Sequence, residues 1–362
     1  MNMDKLVALS VKHNASDLHL CIGQAPVLRI NGVLCPQTQL PSVNNLLLEE
    51  WSRQFLSENQ RQQLLTGGHV DFALETENGQ RLRGNIFRQH SGLSVVLRLI
   101  HSQCSTLEQL KAPEIIREMA LREESGLILV TGATGSGKST TLTAIVDMLN
   151  SHSCQHIITL EDPVEFIHHS RNCLIQQRQI GLDSPSYQAA LKGALRQDPD
   201  VLLLGELRDK ETIRLALTAA ETGHLVLSTL HTRGAVQAID RLVDIFSAEE
   251  KGWVRSQLAG SLKAVIAQQL VSAQGGGRVA IYEILVVNQA VSHLIREGKN
   301  HQITTLMQTG AASGMQTYEQ GWQQRKLQGL LAEQTERKIK ENAIPYGFQD
   351  ASRRQRSESP GT

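Results

Sequence analysis

With 362 residues the chain is long for one small domain and fits two of roughly 100 to 250 residues each. Its 40% hydrophobic and 20% charged content is ordinary globular composition, and 36 basic against 36 acidic residues leave no net field to draw it to nucleic acid or an anionic membrane. The cysteines (Cys21, Cys35, Cys104, Cys154 and Cys173) form no C-x-x-C, which argues against a disulfide framework and a structural zinc site, and no stretch approaches the about 18 apolar residues of a membrane span, so a soluble, cytoplasmic protein is expected.

Leu6, Val7, Leu9 and Val11 place a helix over residues 3–13, and strands follow at 17–22 and 27–30 with a two-residue turn at Asn31-Gly32. A helical stretch from about 43 to 65 precedes a meander of strands 70–74, 81–88 and 93–100, turning at Asn78-Gly79 and Ser91-Gly92. Residues 1–100 therefore read as a small α+β domain on an antiparallel sheet. Arg81 and Arg83 share one strand face and Arg98 ends the meander; they either lie on a solvated face or reach a neighbouring subunit's γ-phosphate. Residues 104–124 read as helical, with Pro113 near a helix start, and lead into the second domain.

Gly126 to Asn150 organises that second domain. Leu127 to Val130 is a short apolar run suited to a buried parallel strand, Gly132-Ala133-Thr134-Gly135-Ser136-Gly137-Lys138-Ser139 fits G-x-x-x-x-G-K-[ST] and runs on through Thr140, and Leu142, Ile145, Val146 and Leu149 mark a helix face. In such a loop the glycines let backbone N–H groups turn onto phosphates, Lys138 adds a point charge, and the Ser139 hydroxyl can ligate Mg²⁺. ATP and Mg²⁺ are the ligands expected. Further buried strands at 157–160, 201–204 and 225–229 alternate with helices at 186–195, 209–221 and 254–270, a pattern that means a parallel sheet flanked by helices. Gly275-Gly276-Gly277 turns into a strand at 278–287, a helix at 290–297 is closed by Gly298, and 317 to about 342 reads as helical. The polar residues 348–362 read as a disordered tail.

Ligands of such sheets sit beyond the carboxyl ends of strands, so the acidic residues there carry the interest. Glu161 follows the strand at 157–160, and Glu206, two residues beyond Leu204, is the favoured general base; the alternative makes Glu206 and Asp209 helix-start residues. His231 lies at the carboxyl end of the strand at 225–229 and His224 at the opposite end, without the spacing of a metal pair.

Ile158 to Glu165, Leu195 to Asp209 and Thr222 to Thr232 resemble the Asp box, Walker B and His box of the secretion-superfamily ATPases, in the family's order after the phosphate loop. Ala15 to Leu20, Gly275 to Val279, Leu294 to Glu297 and Gly314 to Thr317 extend the resemblance to PilT-type pilus retraction ATPases, to roughly residue 347. The resemblance implies a PAS-like domain over 1–100, a linker over 101–112, and a RecA-like ATPase domain with C-terminal helices over 113–347. It also implies a homohexamer working on an inner-membrane platform protein, with Glu161 and Glu206 as the catalytic carboxylates, His224 and His231 coupling nucleotide state to domain movement, and Arg81, Arg83 and Arg98 acting in trans. Extension and secretion ATPases of the superfamily usually carry a four-cysteine zinc motif and an extra N-terminal domain, so the sequence favours retraction over assembly or secretion. Ala133, His101 and His293 depart from the family's pattern. A nucleotide-sensing adaptor and a RecA-type DNA motor are the remaining readings, the latter disfavoured by the absence of a basic stripe.

Overall fold

A computed structural model describes residues 2–30, 32–76, 79–100 and 104–332. Asn31, Asn78, His101 and everything after 332, including the tail at 348–362, lie outside the described residues. The first sheet comprises β1 (Asp17–Cys21), β2 (Val27–Ile30), β3 (Val33–Pro36), β4 (His69–Glu75), β5 (Arg81–Gln89) and β6 (Gly92–Ile100), in the order β3-β2-β1-β6-β5-β4 with every pair antiparallel. Alternation sets its faces: Leu82 and Ile86 of β5 are buried while Arg81 and Arg83 point the other way. Leu18, Leu28, Leu97 and their neighbours pack with Leu6 and Leu48 from the helices Met3–Lys12 and Asn45–Phe55. The single helix expected over 43–65 is two, because Leu56 is extended and Ser57 opens a capping box with Gln60 that starts the helix Glu58–Gly67.

The second sheet has seven strands: β7 (Gly126–Thr131), β8 (His156–Glu161), β9 (Leu174–Gln179), β10 (Val201–Leu204), β11 (Leu225–Leu230), β12 (Leu262–Ser272) and β13 (Arg278–Val286). Their order is β13-β12-β7-β11-β10-β8-β9, parallel throughout except for β13, which runs antiparallel to β12. β7, β10 and β11 are buried on both faces, as continuous apolar runs require. Leu127, Leu129, Leu202 and Leu204 pack against helices that include Lys210–Glu221 and Ala235–Asp244, and Ile128, Val130, Val201 and Leu203 against the helix Lys138–His152. Each fully buried Leu, Ile or Val contributes about 1.5–3 kcal/mol. This is the α/β architecture expected.

The helix expected over 254–270 is half wrong: the helix Ala248–Ser261 ends at Leu262, where β12 begins. The run from Leu262 to Leu270 is apolar enough for either period, and pairing with β7 on one side and β13 on the other decides for strand. The polar β9 and the helix Ala235–Asp244 were not expected at all. Of residues 104–124 only Glu114–Arg122 is helical, with Pro113 at its N-cap, and the helix expected from 317 is Tyr318–Leu327, opened by a capping box from Thr317 to Gln320. Arg325 on that last helix is 5% exposed; its Nε donates to Ala280 O of β13 at 3.0 Å and its Nη2 to Lys111 O, ahead of Pro113.

Candidate active site

β7 delivers the chain to Gly132 at φ +152, where an added Cβ would lie 2.3 Å from Gln268 O and 2.5 Å from Ser136 Oγ, so only glycine fits. Gly137, in the left-handed region at φ 88, starts the helix Lys138–His152 without a side-chain cap, which leaves the first-turn N–H groups facing the cavity. Lys138 Nζ donates to Gly132 O at 2.9 Å and Ala133 O at 3.1 Å. Burial holds this lysine below its ordinary value, while the Glu206 and Glu165 carboxylates push the other way. The cavity is about 630 Å³, and Thr134, Gly135, Gly137, Lys138, Ser139 and Thr140 line one side of it. Ser136 turns away: its hydroxyl is buried without a hydrogen-bond partner and its carbonyl accepts from Gln268.

The carboxylates face the loop across this space. Glu206 leaves β10 through Gly205, whose N–H donates to Leu160 O at 2.9 Å and where a Cβ would meet Tyr187 Oη at 2.6 Å. Glu206 Oε2 lies 3.1 Å from His231 Nε2, and Oε1 pairs with Arg208, an arginine that the motif reading passed over. Asp209, by contrast, accepts from Thr212 N at 2.9 Å and caps the helix Lys210–Glu221. The helix-start role thus falls to Asp209 while Glu206 points into the cavity. Glu161 Oε1 accepts from Thr159 Oγ1 at 2.6 Å and Gln177 Nε2 at 3.2 Å. Burial raises the Glu161 carboxyl above its ordinary range, opposed by these two hydrogen bonds.

The two histidines separate. His231 joins Glu206, whereas His224 sits at the other end of β11, its Nδ1 3.0 Å from Ala219 O and its carbonyl accepting from Gly126 N. The arginines separate too. Arg98 lines the cavity of its own chain and pairs with Asp17 at 3.0 Å; Arg81 pairs with Glu75 at 3.7 Å, and Arg83 lies opposite Arg98 in the β5–β6 ladder, outside the cavity wall.

Gln177 comes from the unexpected β9 and ties the Asp-box segment together, donating to Glu161 and to Phe166 O at 2.7 Å and accepting from His168 N at 2.7 Å. Burial pushes the His168 imidazole from 6.5 down to about 4, with Asp147 opposing and Arg171 adding to the shift. The native state binds fewer protons between those values, so stability present above pH 6.5 is lost as pH falls toward 4. His168→Asn is expected to flatten that limb by up to roughly 3 kcal/mol between neutral pH and the folded value. Urea unfolding of both proteins over this range reads the difference; parallel limbs would remove His168 from the acid response.

The sequence profile of the family described as Type II/IV secretion system protein matches residues 2–337. The chain belongs to that family. The protein YggR of Escherichia coli (strain K12) is 56% identical over 91% of this chain and 100% of its own length. The type IV pilus retraction ATPase PilT of Pseudomonas aeruginosa is 44% identical over 94% of this chain and 100% of its own. A crystal structure of the pilus retraction motor PilT with bound ADP superposes with a TM-score of 0.86 at 38% identity, covering 92% of this chain and 96% of that one. The resemblance to PilT-type members read from the motifs is borne out.

Proposed function

We propose that the chain is a Mg²⁺-dependent ATP hydrolase that works as a hexameric motor on a type IV pilus-like machine, driving pilus retraction. The observation that carries this is the convergence on one cavity of the phosphate loop with Lys138 and Ser139 and, opposite it, Glu161 and Glu206. The retraction ATPase named among the relatives supports the direction of work.

In the catalytic step the loop N–H groups and Lys138 hold the triphosphate, Lys138 exchanging the Gly132 and Ala133 carbonyls for phosphate oxygens. The donor set of a serine hydroxyl beside carboxylates suits a hard cation, and the glycine cradle leaves room for its phosphate partner. Ser139, with Glu161 through water, would hold Mg²⁺, which when bound neutralises phosphate charge. Glu206, held by His231 and Arg208, orients the attacking water and takes its proton. His231 then reports the nucleotide state to β11 and His224; Arg98 supplies positive charge at the cavity of its own chain, and Arg81 and Arg83 supply it at the boundary between subunits. Residues 1–100 form the PAS-like domain that moves against the ATPase unit at 113–347 about the connection at 101–112. Among the described residues no helix is long and apolar enough to cross a membrane, and the motor is assigned to the cytoplasmic face of an inner-membrane platform protein.

Purified protein should hydrolyse ATP with Mg²⁺, run as a hexamer in light scattering and gain nothing from added DNA at low salt. A deletion strain should keep its pili and lose their shortening. Loss of pilus assembly in that strain would transfer the chain to assembly or export, and nucleotide binding without hydrolysis in a confirmed hexamer would make it an adaptor.

A further inference from the structure

Gln268 of β12 is 3% exposed and belongs to none of the family motifs. Its Nε2 donates to Ser136 O at 2.8 Å and its Oε1 accepts from Thr141 Oγ1 at 2.7 Å, so one amide joins the phosphate loop to the first turn of the helix behind it. The fit is tight: a Cβ on Gly137 would lie 2.8 Å from that Nε2. From β13, Arg278 Nη1 donates to Gly135 O at 3.4 Å, so the β12–β13 hairpin meets two successive carbonyls of the loop.

A phosphate loop works when its N–H groups face the anion, which turns its carbonyls away and obliges them to find donors outside the cavity. Ser136 O finds its donor in Gln268, and the same amide's oxygen accepts from the Thr141 hydroxyl. We propose that Gln268 is a positioning residue for ATP hydrolysis: by anchoring the Ser136 carbonyl and the Thr141 hydroxyl, it keeps the intervening N–H groups aimed at the phosphates. It acts through the loop and does not touch the reacting atoms. The assignment rests on the ATP reading above.

The test compares the full chain with its Gln268→Met and Gln268→Glu variants in ATP hydrolysis and in titration with a fluorescent ATP analogue. Methionine keeps the length and removes both hydrogen bonds. The loop holds substrate and transition state alike, so KM and the analogue Kd are expected to rise on the order of tenfold with kcat little changed. A merely structural role would shrink the active fraction, lowering kcat at unchanged KM. In Gln268→Glu the introduced carboxyl can donate to Ser136 O only when protonated, and burial raises its pKa. Its KM relative to wild type is therefore expected to fall toward one as pH drops from about 8.5 to about 6. Charged or titratable groups on the surrounding elements are Lys138 of the loop helix, Tyr282 opposite on β13 with Arg325 over its ring, and Arg278 and Lys111, which line the same cavity as Gln268; the wild-type profile divides out their titration.

Wild-type KM in both variants, or a pH-independent ratio for Gln268→Glu, would overturn the assignment. If Gln268→Met does not fold, the pH ratio of Gln268→Glu decides alone. Absence of hydrolysis by the wild type would instead overturn the ATPase reading, and the analogue titration would still judge Gln268.

Discussion

Glu206→Gln is expected to lower ATP turnover about a hundred- to thousandfold, the equivalent of ~3–4 kcal/mol in the barrier, while nucleotide still binds. Glutamine fills the same space beside Gly205 and its carbonyl can still accept from His231, but it can neither take a proton from water nor carry the charge that Arg208 now balances. Arg208 is 68% exposed, so losing its partner leaves a solvated guanidinium and little change in stability. Phosphate release measured beside a fluorescent-nucleotide titration separates the two quantities. Turnover within about threefold of wild type would remove Glu206 from the mechanism.

Lys138→Ala should fail one step earlier. Its ammonium is the positive side chain at the head of the helix, and its present acceptors, Gly132 O and Ala133 O, are loop carbonyls that water at the cavity can satisfy in its place. Nucleotide affinity is expected to fall at least about a hundredfold, with turnover falling in step, while the thermal midpoint moves little. The contrast is diagnostic: one substitution yields a protein that binds and does not cleave, the other a protein that does not bind. Retained affinity in Lys138→Ala would mean that the N–H groups alone hold the phosphates.

The phosphate-loop signature and the acidic and histidine residues across the cavity from it were legible because their chemistry fixes both identity and spacing. Gly132, Lys138, Ser139, Glu161, Glu206 and His231 all follow strands whose apolar runs stand out. The residues that hold them were not. Gln177 sits on β9, whose Gln176, Gln177, Arg178 and Gln179 look nothing like a buried strand because it forms the sheet's edge. Gln268 was hidden inside an apolar stretch that reads equally well as helix, and Arg208 was taken as one letter of a motif. A glutamine has no signature spacing; its partners are set by which strands become neighbours, and that is a tertiary fact. The same limit applied to Arg98, whose place on the cavity of its own chain could not be read from the meander.

Arg325 carries a practical consequence. A guanidinium cannot shed its charge, and this one is satisfied by main-chain oxygens from two distant stretches, Ala280 and Lys111, with the Tyr282 ring beneath it at 5.8 Å. A shortened version of the protein that stops ahead of Tyr318 would uncover the outer flank of β13 and release the strap that leads in from the first sheet. Anyone trimming this molecule for crystals or for single-molecule tethering should therefore cut beyond Ala332, since the helix Tyr318–Leu327 buckles β13 to the stretch that runs into Pro113.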